Sequence, residues 1–130
     1  FKGGVVSYTN EVKENVLRVP EHLLTQFGAV SEEVAAAMAE GARRVLGCDV
    51  AVSVTGVAGP DPDDRGNPVG LVYTALAAPD GCWVKKLNLA SHNARRDRTR
   101  NLAVNHALDM VRRWLEGLDP ASSSTKEAEG

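Results

Sequence analysis

Apolar and polar positions alternate between two periods along this chain, and the change of period marks the elements. Residues 3–8 (GGVVSY) are short, apolar and β-branched, and predict a strand. Asn10-Glu11 then opens a helical turn, a polar cap followed by an acid, with Val12, Val16 and Leu17 as its apolar stripe. Pro20 suits the first turn of a second short helix over 21–27, stopped by Gly28. Ser31, with Glu32 and Glu33 behind it, caps a long helix ending at Leu46 before Gly47. On that helix Val34, Met38, Ala42, Val45 and Leu46 recur on one face. Residues 49–55 (DVAVSVT) are continuously apolar, as in a strand covered on both sides. Residues 70–78 form another strand, Pro79-Asp80-Gly81 a hairpin turn, and residues 82–89 an antiparallel return. A last helix is predicted over 94–118, with Leu102, Ala107, Met110, Val111, Trp114 and Leu115 facing inward.

This order predicts an α/β fold: a three-layer α/β/α sandwich with a mixed sheet. Its 130 residues bound it to a single core. The domain is placed at 1–118, and residues 119–130 (DPASSSTKEAEG), poor in apolar side chains, are expected to be a disordered tail. No apolar run approaches the roughly 18–20 residues of a membrane span. Cys48 and Cys82 sit in apolar segments and read as small structural residues of a reducing, cytoplasmic compartment. The chain begins with Phe1 and has no signal-peptide pattern, which reads as the middle of a longer gene product.

Charge changes the picture more than composition does. The net charge is −2, yet residues 85–113 hold 8 basic and 2 acidic side chains. Such a block is either a local anion site or a solvated helix laced with salt bridges. Arg96 and Arg100 are four residues apart and could form a fork for a phosphate. Binding of nucleic acid fits poorly, because the chain is slightly acidic and only 5% aromatic. His22, His92 and His106 show no metal-ligand spacing.

Two loops leave the carboxyl ends of predicted strands, where α/β folds gather ligands. In the first, Tyr8 and Lys13 could face one cleft, and a desolvated lysine can serve as a base. The same residues also describe an ordinary solvated helix lysine beside an amphipathic strand end. In the second, Thr55-Gly56-Val57-Ala58-Gly59-Pro60 brings small residues and a hydroxyl to a strand end. Its successive N–H groups could form an anion nest, or the segment could be a plain surface loop. It is not a P-loop, since no Gly-Lys-Ser/Thr follows.

Taken together, Val5-Val6-Ser7-Tyr8-Thr9-Asn10-Glu11-Val12-Lys13, residues 28–35 (GAVSEEVA), Ser53-Val54-Thr55-Gly56-Val57-Ala58-Gly59-Pro60 and Asn67-Pro68-Val69-Gly70 resemble the carboxy-terminal domain of the CinA (competence/damage-inducible) family. The resemblance runs from Phe1 to Leu118 in the family's order. It implies a bacterial nicotinamide-nucleotide amidase that uses a Ser/Lys mechanism without metal or cofactor. Nicotinamide mononucleotide would become nicotinic acid mononucleotide and ammonia. Lys13 falls on the family's general base and Tyr8 on the tyrosine that orients it. Thr55, Gly56, Ala58 and Gly59 fall on the substrate-binding strand end, and Arg96 and Arg100 near its phosphate arginines. The implied partners are a small pyridine nucleotide and a second copy of the chain in a homo-oligomer, a dimer being favoured, with no nucleic acid and no membrane.

Two departures bear on that expectation. The family's serine lies in a Glu-Ser-Xaa-Thr-Gly-Gly segment ahead of the first match, and no such segment occurs here. The 130 residues alone are therefore expected to be catalytically incompetent and to expose a sheet edge. The family's Gly-Asp-Arg appears as Ala94-Arg95-Arg96. A non-catalytic nucleotide-binding or assembly domain is the alternative these departures favour.

Overall fold

The computed structural model describes residues 1–89 and 96–122. Its elements are α1 (Asn10–Asn15), α2 (Glu21–Phe27), α3 (Glu32–Leu46), β1 (Ala51–Gly56), β2 (Leu71–Ala78), β3 (Gly81–Asn88) and α4 (Arg96–Leu115). The helix signals in the sequence act within a residue or so of where they were placed. Thr9, rather than Asn10, caps α1 by accepting from the Val12 N–H at 3.3 Å. Pro20 stands at the N-cap of α2. Ser31 caps α3 through the Val34 N–H at 3.3 Å and donates back to Gly28 O at 2.9 Å. Gly47 closes α3 in the left-handed region, φ 59°, where a side chain would be strained.

The sheet is antiparallel throughout its three described strands, in the order β1-β2-β3. The expected mixed sheet needed residues 3–8 as a strand, and they pair with nothing among the described strands. They keep a strand's alternation, half-buried at 3, 5 and 7 and exposed at 4, 6 and 8, without its hydrogen bonds. β1 and β2 diverge at a bulge of defined chemistry. Gly70 N–H donates to Val57 O at 2.8 Å while Val57 N–H donates to Leu71 O at 2.9 Å, so two residues oppose one. Gly70 has φ 93°, which only glycine adopts freely.

Helices cover both faces, giving the three layers expected from the sequence. Ala35 and Ala39 of α3 pack on Ala75 and Ala77 of β2, with Cys82 and Val84 of β3 beside them. On the other face Met110 of α4 packs on Leu76 and Ala78, flanked by Val52, Trp83, Val111 and Trp114. A further layer lies outside α3, where Leu17, Val19 and Leu24 pack on Val34 and Met38. Gly41 permits this approach, because a Cβ there would fall 1.9 Å from Leu17 O. Leu115 is 71% exposed and leaves the predicted core, while Ala103 and Thr99 join its face. Residues 119–122, expected in a disordered tail, return onto α4: Arg113 donates to Asp119 O and Ser122 Oγ at 2.8 and 2.7 Å. The predicted start of the last helix at Ala94, and the tail residues 123–130, lie outside the described residues.

Candidate functional site

Lys13 lies in the single buried position of α1. Its side chain is 6% exposed, and its Nζ donates to Ser7 O at 2.6 Å. Burial pushes its pKa below the ordinary lysine value, because an ammonium loses hydration there. The α1 backbone fixes this placement: Lys13 N–H bonds Thr9 O, and Lys13 O accepts from Val19 N–H at 2.9 Å, folding the chain back behind the short helix. Tyr8 is arranged differently. It is 87% exposed, so the two side chains predicted to share a cleft are not enclosed together.

Thr55 is buried at the end of β1 and donates to Ala29 O at 2.7 Å, locking the strand end onto the segment before α3. Gly56 follows, packed so closely on β2 that a Cβ would sit 2.7 Å from Val72 Cγ2. The predicted anion nest is shortened, because Val57 N–H is spent on Leu71 O within the bulge. Ala58 and Gly59 are half-buried, and the Gly59-Pro60 peptide is cis.

The rest of this loop is held by residues that sequence reasoning passed over. Asp63 accepts from the Arg65 and Asn67 N–H groups at 3.0 and 2.8 Å and from Asn67 Nδ2 at 2.8 Å. Desolvation raises the Asp63 pKa, but these hydrogen bonds and the Arg65 charge outweigh it and leave it below the usual carboxylate value. Arg65 reaches across to the last carbonyls of α2, bonding Thr25 O, Gln26 O and Leu24 O. A helix end needs such donors, but nothing in the spacing announces one supplied from about forty residues away.

Arg96 and Arg100 are exposed in the first two turns of α4. Further along α4, Ala103 packs with Val72, Leu87 and Leu89, and Val72 lies opposite Gly56. The arginines thus belong to the end of the sheet where β1 finishes, on the α4 side, whereas Thr55 bonds toward α3. Arg95 and His92 lie outside the described residues. His22 is exposed, and His106 lies 3.2 Å from the buried Lys85 Nζ. No group of three metal-capable side chains occurs among the described residues, and none of their helices is long and apolar enough to cross a membrane.

The end of β1 thus holds a buried hydroxyl and a tight glycine turn, the first turns of α4 hold two exposed arginines, and a desolvated lysine lies in the layer outside α3. The family profile described as the CinA C-terminal domain matches residues 1–115. The chain belongs to the CinA C-terminal domain family. It is 50% identical over 115 residues to a CinA-like protein of Synechococcus sp. (strain RCC307), covering 88% of this chain and 27% of that protein. It is 51% identical over 115 residues to a CinA-like protein of Geobacter sulfurreducens, again covering 88% and 27%. The chain thus spans about a quarter of these relatives. Among solved structures, the competence damage-inducible protein A of Klebsiella pneumoniae superposes with a TM-score of 0.81 at 32% identity, over 87% of this chain and 68% of that one. The competence/damage inducible protein of Agrobacterium tumefaciens gives 0.74 at 38% identity, over 80% and 62%. The α/β fold of this CinA C-terminal domain is thereby shared with its relatives, and the motif around Lys13 and that around Thr55 both lie inside the matched residues.

Proposed function

We propose that this CinA C-terminal domain is part of a nicotinamide-nucleotide amidase, in which Lys13 is the general base of a Ser/Lys mechanism. The observation that carries this reading is the burial of Lys13, with its pKa lowered by desolvation, inside the segment that matches the family motif. A lysine is a base only when unprotonated, so lowering its pKa increases the working fraction near neutrality. The bond to Ser7 O fixes the direction of Nζ through a neutral acceptor, which adds no negative charge that would hold the proton.

In this reading Lys13 takes the proton of a serine hydroxyl as its oxygen attacks the carboxamide carbon. The same proton returns to the nitrogen as ammonia departs, and water then releases the acid. The serine belongs to a family segment absent from these 130 residues. Backbone N–H groups of Ala58 and Gly59, beyond the Val57 N–H that bonds Leu71 O, would face the tetrahedral oxyanion, a contribution of about 3–4 kcal/mol in such sites. Arg96 and Arg100, exposed and four residues apart, would hold the 5′-phosphate. Tyr8, exposed in this structure, would orient Lys13 only after the ring turns inward.

The test is ammonia release from nicotinamide mononucleotide by the natural gene product containing these residues, beside its Lys13→Ala form. Loss of at least about a hundredfold in kcat is expected for removal of a general base. Equal turnover by the two proteins would remove Lys13 from the mechanism. Nucleotide binding by calorimetry with no turnover in either would favour the non-catalytic binding domain instead.

A further inference from the structure

The turn that would meet the oxyanion is tied, before and after, to one short segment of the chain. Before it, Thr55 Oγ1 donates to Ala29 O at 2.7 Å. After it, Arg65 donates to Leu24 O, Thr25 O and Gln26 O, three of the last four carbonyls of α2. Residues 55–65 are therefore closed into a loop against residues 24–29, which removes much of the freedom that an open loop would keep. The arginine stem crosses Gly28, where a Cβ would fall 2.5 Å from Arg65 Cδ. Gly28 has φ 82°, so its backbone and its missing side chain both suit the crossing.

Inside the loop the links continue. Asp63 accepts from the N–H groups of Arg65 and Asn67 at 3.0 and 2.8 Å, which fixes the point from which the Arg65 side chain leaves. Val69 packs on Gly59, where a Cβ would fall 2.8 Å from Val69 Cγ1. Val57 is held by Leu71 O and by the Gly70 N–H. Between these holds, the Ala58 and Gly59 N–H groups donate to nothing among the described residues. Two successive free donors in a clamped turn are what an oxyanion site requires.

We propose that Arg65 is a positioning residue for the amidase reaction: by clasping the end of α2 it sets the Ala58 and Gly59 N–H groups where the tetrahedral oxyanion forms. Its chemistry rests on the amidase reading; the rigidity of the turn does not. A displaced or mobile donor stabilises the developing charge less while the ground-state amide binds as before, so the cost falls on kcat. Without this role, the exposed Arg65 would be no more than a cap for the α2 carbonyls.

Two measurements separate these roles. In the natural gene product containing these residues, Arg65→Ala should lower kcat for nicotinamide mononucleotide by at least about tenfold. KM should stay within about twofold of wild type. Arg65→Lys, which keeps a cationic donor for the α2 carbonyls, should recover part of the loss. In the 130-residue chain, nitrogen-15 relaxation should give backbone order parameters of about 0.85 at Ala58 and Gly59, falling below about 0.6 in Arg65→Ala while β1 and β2 stay rigid. Asp63→Ala frees the turn from which Arg65 departs; it should move both readouts the same way, and it carries the test if Arg65→Ala does not fold. A mere cap would lower thermal stability and loosen α2 with kcat and the turn's order parameters unchanged. That result overturns the proposal, as does a loss confined to KM. If the wild-type gene product releases no ammonia, the amidase reading falls by itself, and the order parameters alone decide whether Arg65 sets the turn.

Discussion

The two faces of the sheet solve the same problem in opposite ways. Against α3 the contact is made of small residues, Ala35 and Ala39 on Ala75 and Ala77, and Ser53 reaches the helix backbone at Ala35 O across 2.6 Å. Against α4 it is made of large ones, with Leu76 and Met110 fully buried and Trp83 and Trp114 packed against them. Thr74, also fully buried on that side, finds its partner in Met110 Sδ at 3.2 Å. α3 is in addition enclosed from outside by Leu17, Val19 and Leu24, while α4 shows Val104 and Leu108 to solvent at 51% and 61%. A close helix has no space to give, and a distant one depends on the side chains that fill the gap.

That difference is broken most forcefully at Met110. Met110→Ala should leave a cavity that the Leu76 and Trp83 side chains cannot close, costing about 3 kcal/mol by chemical denaturation within the usual range of 2–5. A loss below about 1 kcal/mol would mean α4 collapses onto the sheet, and the contrast would fail. The reciprocal change is Ala75→Leu, which adds volume where α3 touches β2. It should cost about 2 kcal/mol through overpacking. Adding the same bulk at Leu108, an exposed position, should be nearly neutral. Should Ala75→Leu also be neutral, α3 would be as yielding as α4.

How much of this was legible in the sequence follows from the same contrast. α3 was readable because its ends carry local chemistry, the Ser31 cap and Gly47, and its outer stripe of Val34 and Met38 has helical period. Its sheet face was not, since alanines carry little periodic signal. On α4 the spacing places Leu102, Ala107, Met110, Val111 and Trp114 inward, and it misplaces Leu115, which the described residues leave 71% exposed. The hairpin was legible from its turn. Residues 3–8 read as a strand because composition specifies extended chain, whereas a ladder also needs a partner. Of the site, Thr55 and Gly56 were locatable as a strand end. The Arg65 clasp on α2 was not, because it joins positions about forty apart.

A smaller prediction sharpens the close face. Ser53 donates to a carbonyl inside α3, and a sheet held apart from the helix could not make this bond. Ser53→Ala should cost about 1 kcal/mol, the net value of one hydrogen bond. Ser53→Val, which replaces the hydroxyl with a branched side chain against Ala35, should cost more than Ser53→Ala. On a yielding interface the order would reverse, because the added methyl groups would gain burial.

The smallest effect concerns the layer outside α3, and here the sign is the informative part. The folded-state pKa of Lys13 is below its unfolded value of 10.5, with desolvation as the cause. Between the two values the unfolded chain binds more protons than the folded one, so stability rises with pH across that window. Below the folded pKa both states are protonated and the full cost of burying the ammonium is present. Lys13→Met removes the titration, so the stability difference between wild type and variant should shift in favour of wild type as pH climbs toward 10.5. The slope of that difference, and not its value at any one pH, reports the titration of Lys13, because packing lost or gained by the substitution does not change with pH. A flat difference would show that Lys13 is hydrated in solution. The enclosure of α3 would then end short of α1, and the feature that recommends Lys13 as a base would be gone.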